Sequence, residues 1–502
     1  MATATSLEES AAAAGRRRVL AGLMLAMALA AMDTTIVATA IPSIVRDLGG
    51  FSLFPWVFSA YVLAQAVSVP IYGKLADLYG RKPVLVAGMS IFLAGSILCG
   101  VAWSMVTLIV CRALQGLGGG AIQPTVTTLA GDLYTLEERA RIQGWIASVW
   151  GISAVVGPAI GGLFAEYASW RWIFYVNVPI GAAALAVVVT ALHEREIARR
   201  AHRLDLAGAG LLVTGLGLLI FGLLQGGVKW PWLSGRSVGV FAAAFVALAA
   251  FAVVERRAAE PMLPSWVFGR RVLIGAALGS AVVGLLTIGL TTFLPTFAQG
   301  VLGVGPVAAG FALATMSIGW PTAAGFSGRL YLRIGFRDTA TVGASICLAG
   351  TALFATLPES APVWQAAVYS CLTGVGLGFL STPLIVGVQS VVEWDRRGVV
   401  TGASMFTRML GQAVGAAVFG TVANTTLDGW FAHAPARVAR QLPRTVNSAS
   451  AVIGKRHGLS PAAAAYVRHG LDLATHRVFL GLVACAALGL AVVLLTPSRF
   501  RL

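Results

Sequence analysis

Three ionisable residues stand deep inside apolar runs: Asp33, Arg112 and Arg408. The chain has 20 Asp and Glu, and all but Asp33 fall in polar breaks or at the ends of apolar runs. Asp33 lies near the middle of an apolar stretch bounded by Arg18 and Arg46. An ionised Asp at the centre of such a stretch costs about 2.5–3.5 kcal/mol in a bilayer. The residue is therefore either a neutral group bonded to a neighbouring helix or a charge that comes and goes along an ion pathway. Burial and a neighbouring cation act in opposite directions on a carboxyl, so a partly wetted Asp33 can exchange a proton near neutral pH. Arg112 is the candidate cation that would tune or unload it, although pairing with backbone carbonyls explains an arginine there nearly as well. Arg408 either holds an anionic group or locks helix packing, and packing is the simpler reading.

The elements that must position these residues are legible from composition. Of 502 residues, 57% are hydrophobic and 11% charged, against about 25% charged in soluble domains. Mean hydropathy is +0.82. Only helices and closed barrels satisfy the backbone in lipid, and the apolar runs are continuous, of helix-spanning length. The fold class is an all-α polytopic membrane protein. Fourteen spans are expected, near Val19–Ile44, Pro55–Tyr72, Val84–Val101, Met105–Leu129, Ile142–Phe164, Trp172–Leu192, Leu206–Leu224, Val238–Val254, Val272–Ala298, Pro306–Leu330, Thr339–Thr356, Val363–Val388, Val399–Val422 and Arg477–Thr496. The first resembles a signal peptide behind Arg16, Arg17 and Arg18, but it runs on past Asp33 to Ile44, so an uncleaved helix is expected.

Organisation follows from these limits: a terminus (1–18), six helices (19–192), a linker with two extra spans (193–271), six more helices (272–496) and a short tail (497–502). The second set includes a long external segment, 424–476, with a helix-like Pro461–Asp472 that is most simply a solvated loop. With the N-terminus inside, the inner segments collect nearly all Lys and Arg outside that loop. The positive-inside rule then puts both termini in the cytoplasm.

Several functions are excluded. The net charge of +16 comes from residues between spans, so it marks orientation and not a nucleic-acid partner. Cys99, Cys111, Cys347, Cys371 and Cys485 each sit in an apolar run and offer neither a disulfide framework nor metal-ligand spacing. The six His lie outside the expected spans. None of Lys74, Lys82, Lys229 and Lys455 is followed by Ser or Thr, so there is no nucleotide-binding loop of the Walker A kind. No catalytic residues, no metal and no cofactor are expected; the chain is not read as an enzyme.

Internal repetition is visible. Gly73-Lys-Leu-Ala-Asp77-Leu-Tyr-Gly80-Arg81-Lys82 follows span 2, and Gly328-Arg-Leu-Tyr-Leu-Arg-Ile-Gly335-Phe-Arg337 follows span 10 with the same glycine spacing. Gly116–Pro124 in span 4 is echoed by Gly374–Pro383 in span 12. Two six-helix halves around a midplane site form a transporter architecture. The Gly73–Lys82 turn, with an acid and a basic pair at a helix end, suits a charge latch between helices; taken alone, it reads better as an ordinary basic loop. Ser153–Gly162 places Gly157, Gly161 and Gly162 around Pro158, a pattern for close helix contact and a bend.

Taken together, the motifs resemble the major facilitator superfamily, specifically its 14-span drug:proton antiporter branch, from about Arg17 to Thr496. Met32–Pro42 resembles that branch's first-helix motif, with Ala38 where Asn is common. Gly73–Lys82 is similar to the family's loop motif, with Leu78 replacing the usual Arg. Arg112-Ala-Leu-Gln115-Gly116 resembles the motif whose Arg is implicated in proton transfer, Ser153–Gly162 resembles the exporters' antiporter motif, and Trp170–Pro179 is typical of the branch. The resemblance implies a major facilitator fold of two six-helix bundles plus two inserted helices, working by alternating access. Asp33 and Arg112 would couple protons, and Gly73, Asp77, Gly80, Arg81 and Lys82 would latch one conformation. Gly157, Pro158, Gly161 and Gly162 would bias the cycle to export.

Thr34, Gln115 and Arg408 are the candidate substrate-cavity residues. No further acid lies in the later spans, while 13 Trp, 23 Phe and 9 Tyr suit hydrophobic or amphipathic cargo, neutral or anionic, with dications poor substrates. The expected partners are a small-molecule substrate, protons and the lipid bilayer of a bacterial cell membrane, with the chain acting as a monomer and the proton gradient in place of a cofactor. A lipid or glycolipid exporter and a proton-coupled importer share the fold and stand as alternatives.

Overall fold

Backbone N–H and C=O groups in hydrocarbon must pair within their own segment, and this chain pairs them in helices. The computed structural model describes residues 2–48, 55–192, 206–226, 230–258, 261, 266–439 and 460–497. Among them the long helices are α1 (Ala2–Leu48), α2 (Pro55–Tyr79), α3 (Arg81–Gly100), α4 (Met105–Leu133), α5 (Leu136–Tyr167), α6 (Asn177–Ala191), α7 (Leu206–Gln225), α8 (Gly235–Glu255), α9 (Arg271–Gly300), α10 (Pro306–Ile334), α11 (Phe336–Ala355), α12 (Val363–Ser390), α13 (Arg397–Ala432) and α14 (Pro461–Leu495). A single turn, Trp172–Tyr175, leads into α6.

Ten of the described helices are long and apolar enough to cross a membrane. The apolar part of α7 is shorter, Ala207–Leu223. The other three carry charge: Glu137, Glu138, Arg139 and Arg141 open α5, Arg329 and Arg333 close α10, and Arg408 lies within α13. Two helices reach well into the segment expected as a long loop. α13 continues to Ala432, and α14 starts at Pro461, capped by the Ser460 hydroxyl, so Pro461–Asp472 is the first part of the last helix and not a separate one. Residues 193–205 and 440–459 of the expected linker and loop lie outside the described residues.

Close helix crossings repeat between the two halves. A Cβ on Gly116 of α4 would lie 2.3 Å from the Tyr61 carbonyl of α2, and one on Gly374 of α12 would lie 2.4 Å from the Met316 carbonyl of α10. Two residues on, Gly118 meets the Phe92 nitrogen of α3, and Gly376 meets the Cys347 nitrogen of α11. The glycine-rich echo is thus a matched set of crossings: only residues without a Cβ let these backbones touch, and in lipid such contact is what holds helices together. Each half has its own apolar core. Leu23, Met27, Leu85, Met89 and Phe92 belong to one, and Leu286, Leu290, Phe297, Phe354 and Phe479 to the other.

α1 packs on α5 and α6, and α2 and α3 on α4; in the second half α9 packs on α13 and α14, and α10 and α11 on α12. The halves meet chiefly where α5 packs on α10 and α2 on α13, with smaller contacts of α4 and α5 to α12 and of α4 to α13. α7 and α8 pack on each other, with α7 also touching α2 and α13.

Candidate functional site

Three helices converge on Asp33. α4 starts under a Ser104 cap, whose hydroxyl accepts the Thr107 N–H at 3.2 Å. Two turns later it presents Arg112 and Gln115 on one face, since residues three apart are neighbours on a helix. α3 comes close enough to α4 for a Cβ on Gly95 to overlap the Gln115 backbone, which brings Ser96 alongside. α6 begins at Asn177. From α1, Asp33 Oδ2 accepts Arg112 Nη1 at 2.5 Å, while Oδ1 accepts Gln115 Nε2 at 2.8 Å and Asn177 Nδ2 at 3.1 Å. Arg112 also donates to Gln115 Oε1 at 2.8 Å and to the Val57 carbonyl at 3.2 Å, and its guanidinium lies 4.2 Å from the Tyr61 ring centre. Asn177 Nδ2 reaches Ser96 Oγ at 3.1 Å.

Asp33, Arg112, Gln115 and Asn177 are all fully buried. Asp33 has no exposed surface in this conformation, and its carboxylate is enclosed by Arg112, Gln115 and Asn177. Three buried polar atoms around it, Arg112 Nη2, Asn177 Oδ1 and Tyr61 Oη, lack a hydrogen-bond partner among the described residues. Breaking a buried ion pair on one side costs about 3–5 kcal/mol, so the cluster is set against losing either charge alone.

The remaining candidates fall in different places. Gln115 belongs to the cluster. The Thr34 hydroxyl donates to the Ala31 carbonyl of its own helix at 2.7 Å. Its neighbour Thr35 donates to the Ser153 carbonyl at 2.9 Å and sits where a Cβ on Gly157 would be, so Gly157 is the point at which α5 touches α1. Gly161 is buried. Of Pro158 and Gly162 only the helical backbone is described. Arg408 is on α13, away from the Asp33 cluster.

Gly73–Lys82 builds a second site, between the halves. Gly80, at φ 98°, makes the turn from α2 into α3, a conformation that glycine adopts without a steric penalty. A Cβ on Gly73 would come within 2.8 Å of the Gly398 carbonyl, so α2 and α13 are in backbone contact here. Asp77 Oδ1 then accepts the Gly398 N–H at 2.9 Å and Oδ2 the Val399 N–H at 2.8 Å. Arg81 pairs with Asp77 at 3.0 Å and with Asp132 at 3.1 Å, and its guanidinium stacks 3.6 Å from the Trp394 ring centre. Arg397 completes the group by binding Asp132 at 2.7 Å. Lys82 instead donates to the Val189 carbonyl of α6 at 2.8 Å.

Further links cross between the halves at the same end. Gln389 Nε2, which also bonds Thr401 of its own half at 3.0 Å, reaches the Thr127 carbonyl of the first half at 3.4 Å. The Tyr331 hydroxyl donates to the Leu136 carbonyl at 2.5 Å. Ser96, Asp132, Trp394, Arg397 and Gln389 were not singled out from the sequence, and Asn177 entered only as part of the Trp170–Pro179 motif, without a role. An amide opening an apolar span was a usable signal for Asn177; the others are ordinary polar residues at helix ends or within helices.

Comparison with known proteins shows the family. Residues 23–416 match the family described as Major Facilitator Superfamily. The sequence is 37% identical over 410 residues to Multidrug resistance protein 3 of Bacillus subtilis, covering 82% of this chain and 80% of the relative. It is 36% identical over 409 residues to Multidrug transporter protein MdtP of the same organism, covering 82% and 75%. In fold it is similar to the crystal structure of the human organic anion transporter MFSD10, with a TM-score of 0.63 and 15% identity over 95% of this chain and 99% of that one.

Proposed function

The chain belongs to the major facilitator superfamily and is a membrane transporter, not an enzyme, and from that premise we propose that it is a proton-coupled antiporter exporting hydrophobic and amphipathic small molecules. The observation that carries this reading is the sealed Asp33–Arg112 pair. Protonating Asp33 in place would leave Arg112 as an uncompensated buried charge, which is costly. Proton uptake and a rearrangement around α1, α4 and α6 must therefore go together, and that linkage is what coupling requires.

The direction of the cycle is argued from the second site. The hydrogen bonds and ion pairs that join the halves, among the described residues, gather at the end carrying Gly73–Lys82. The basic residues between spans favour a cytoplasmic position for that end and for both termini. On this reading the fourteen helices are fourteen spans, α7 and α8 are the inserted pair, and the described conformation is closed to the cytoplasm. Gly73, Asp77, Gly80 and Arg81 hold it closed, with Lys82 securing α3 to α6. Gly157 sets the α1–α5 contact, and the motif it shares with Pro158, Gly161 and Gly162 biases the cycle to export. Thr34 and Gln115 border the substrate path. The chain works as a monomer in a bacterial cell membrane, uses no cofactor and draws on the proton gradient. Names of relatives, Multidrug resistance protein 3 and Multidrug transporter protein MdtP, support the drug-export direction.

The test is gradient-driven transport in proteoliposomes, comparing wild type with Asp33→Asn across a panel of lipophilic compounds. An imposed proton gradient is expected to drive transport in wild type and to lose its effect in the variant. Gradient-driven transport that survives Asp33→Asn would place the coupling elsewhere.

A further inference from the structure

Asp33 and Arg112 neutralise each other. Arg408, the third charge deep within a helix, does not share in that balance: no hydrogen bond or ion pair to its side chain exists among the described residues, and it is only half-buried. A guanidinium stays charged at neutral pH, so this is an unmatched positive charge about 16 Å along α13 from its start.

The packing of α13 fixes the direction in which Arg408 faces. One flank is filled by α2 and α7: Gly398 and Gly402 meet Gly73 and Val69, and Met405 packs with Val67 and Leu212. The other flank is filled by α9, where Gly411 rests on the Ala281 carbonyl and Gly284 on the carbonyl of Arg408 itself. Between these flanks runs a polar row, Thr401, Ser404, Arg408 and Gln412, at helical spacing. Its first member faces the line between the halves, since Thr401 accepts from Gln389, which also reaches the Thr127 carbonyl of α4. Arg408 lies two turns further along the same row. Helix packing, the simpler reading from sequence, is done by the neighbouring residues and by the backbone.

We propose that Arg408 is the docking point for an anionic group on the transported molecule, so that the preferred substrates are amphipathic monoanions such as lipophilic sulfonates or carboxylates. This rests on the transport reading above. A planar guanidinium binds such groups through two parallel hydrogen bonds, and the anion supplies the missing counter-charge. The same charge disfavours dications.

The experiment compares a naphthalene-sulfonate dye with its neutral sulfonamide in proteoliposomes under an imposed proton gradient, for wild type, Arg408→Gln and Arg408→Lys. Losing a charged hydrogen bond predicts that the sulfonate-to-sulfonamide transport ratio falls at least about tenfold in Arg408→Gln, with partial recovery in Arg408→Lys. An unchanged ratio in Arg408→Gln, or a wild type that moves the sulfonamide and not the sulfonate, would overturn the assignment while leaving antiport intact. A wild type that moves neither compound, nor any of the wider lipophilic panel, would sink the transport reading itself. If Arg408→Gln does not assemble, the sulfonate must raise the Tm of detergent-solubilised wild type at concentrations where the sulfonamide does not. Equal shifts would also overturn the proposal.

Discussion

The carboxylate of Asp77 on α2 accepts the Gly398 N–H, 2.9 Å away at the start of α13, so a helix in one half is capped by an acid from the other. α13 needs that cap: it has no acid in its first turn, and no side chain of its own covers its start. The pseudo-equivalent junction is different. α5 begins with a capping box of its own, Thr135 and Glu138 bonding reciprocally, behind acidic Glu137 and Glu138. In the repeated motif the place of Asp77 is taken by Leu332. One helix start depends on the other half of the protein and its counterpart does not, so separation of the halves at this end exposes the free N–H groups of α13 alone.

Asp77→Asn follows directly. The amide keeps its size and one acceptor oxygen but loses the charge that suits a helix N-terminus, worth about 0.3–2 kcal/mol, and it weakens the charged bonds to Gly398 and Arg81. Arg81 keeps Asp132 and Trp394, so the variant is expected to fold. The end carrying Gly73–Lys82 should open more often, by roughly two- to thirtyfold in population for that energy range. Distances between spin labels on the ends of α2 and α13 report it; an unchanged distribution would remove Asp77 from the latch.

Arg112→Lys separates charge from geometry. Arg112 serves Asp33, the Gln115 oxygen and the Val57 carbonyl at once while lying over Tyr61. A lysine keeps the charge but not the fork, and an ammonium cannot span these partners as a planar guanidinium does. Gradient-driven transport should fall at least about tenfold, on the scale of one charged hydrogen bond lost. The protein should still purify as a folded species, because Asp33 remains paired. Near-normal transport in Arg112→Lys would mean that only the charge matters.

How far the sequence foretold these sites depends on contrast. Asp33, Arg112 and Arg408 stood out because a charge in an apolar run has no cheap explanation. The latch motif was visible as a repeat, yet its partners were not: Asp132, Trp394 and Arg397 are common residues at helix ends, and only the crossing of α2 with α13 makes them neighbours. Ser96 was hidden for the opposite reason: a serine in an apolar helix can bond its own backbone and carries no signal, whereas here its hydroxyl donates to the distant Phe174 carbonyl at 2.9 Å. The contact between Asp33 and Arg112 spans α1 and α4, and helical periodicity says which face a residue is on but not which helix it meets. The role of α13 needed both flanks filled before the face carrying Arg408 was defined.

The contact between α5 and α10 gives a paired test. A Cβ on Gly144 would lie 2.9 Å from both the Pro321 carbonyl and the Gly325 nitrogen, whereas a Cβ on Gly325 would meet nothing within 4 Å. Backbone atoms cannot swing aside as a side chain can, so Gly144→Ala must push α5 and α10 apart, while Gly325→Ala has room. In a conformation where these helices already stand apart, the alanine at 144 costs nothing and even gains helix propensity, about 1 kcal/mol over glycine. Gly144→Ala is therefore expected to shift the protein toward the form open at this end and to lower transport severalfold. Gly325→Ala, on the facing helix but with its Cβ directed into open space, should leave both near wild type. Reactivity of a cysteine placed at Ser148, beside this contact, would separate the two: raised labelling in the Gly144→Ala background alone is the expected pattern. Equal labelling in both backgrounds would mean that the α5–α10 approach does not set the conformational balance.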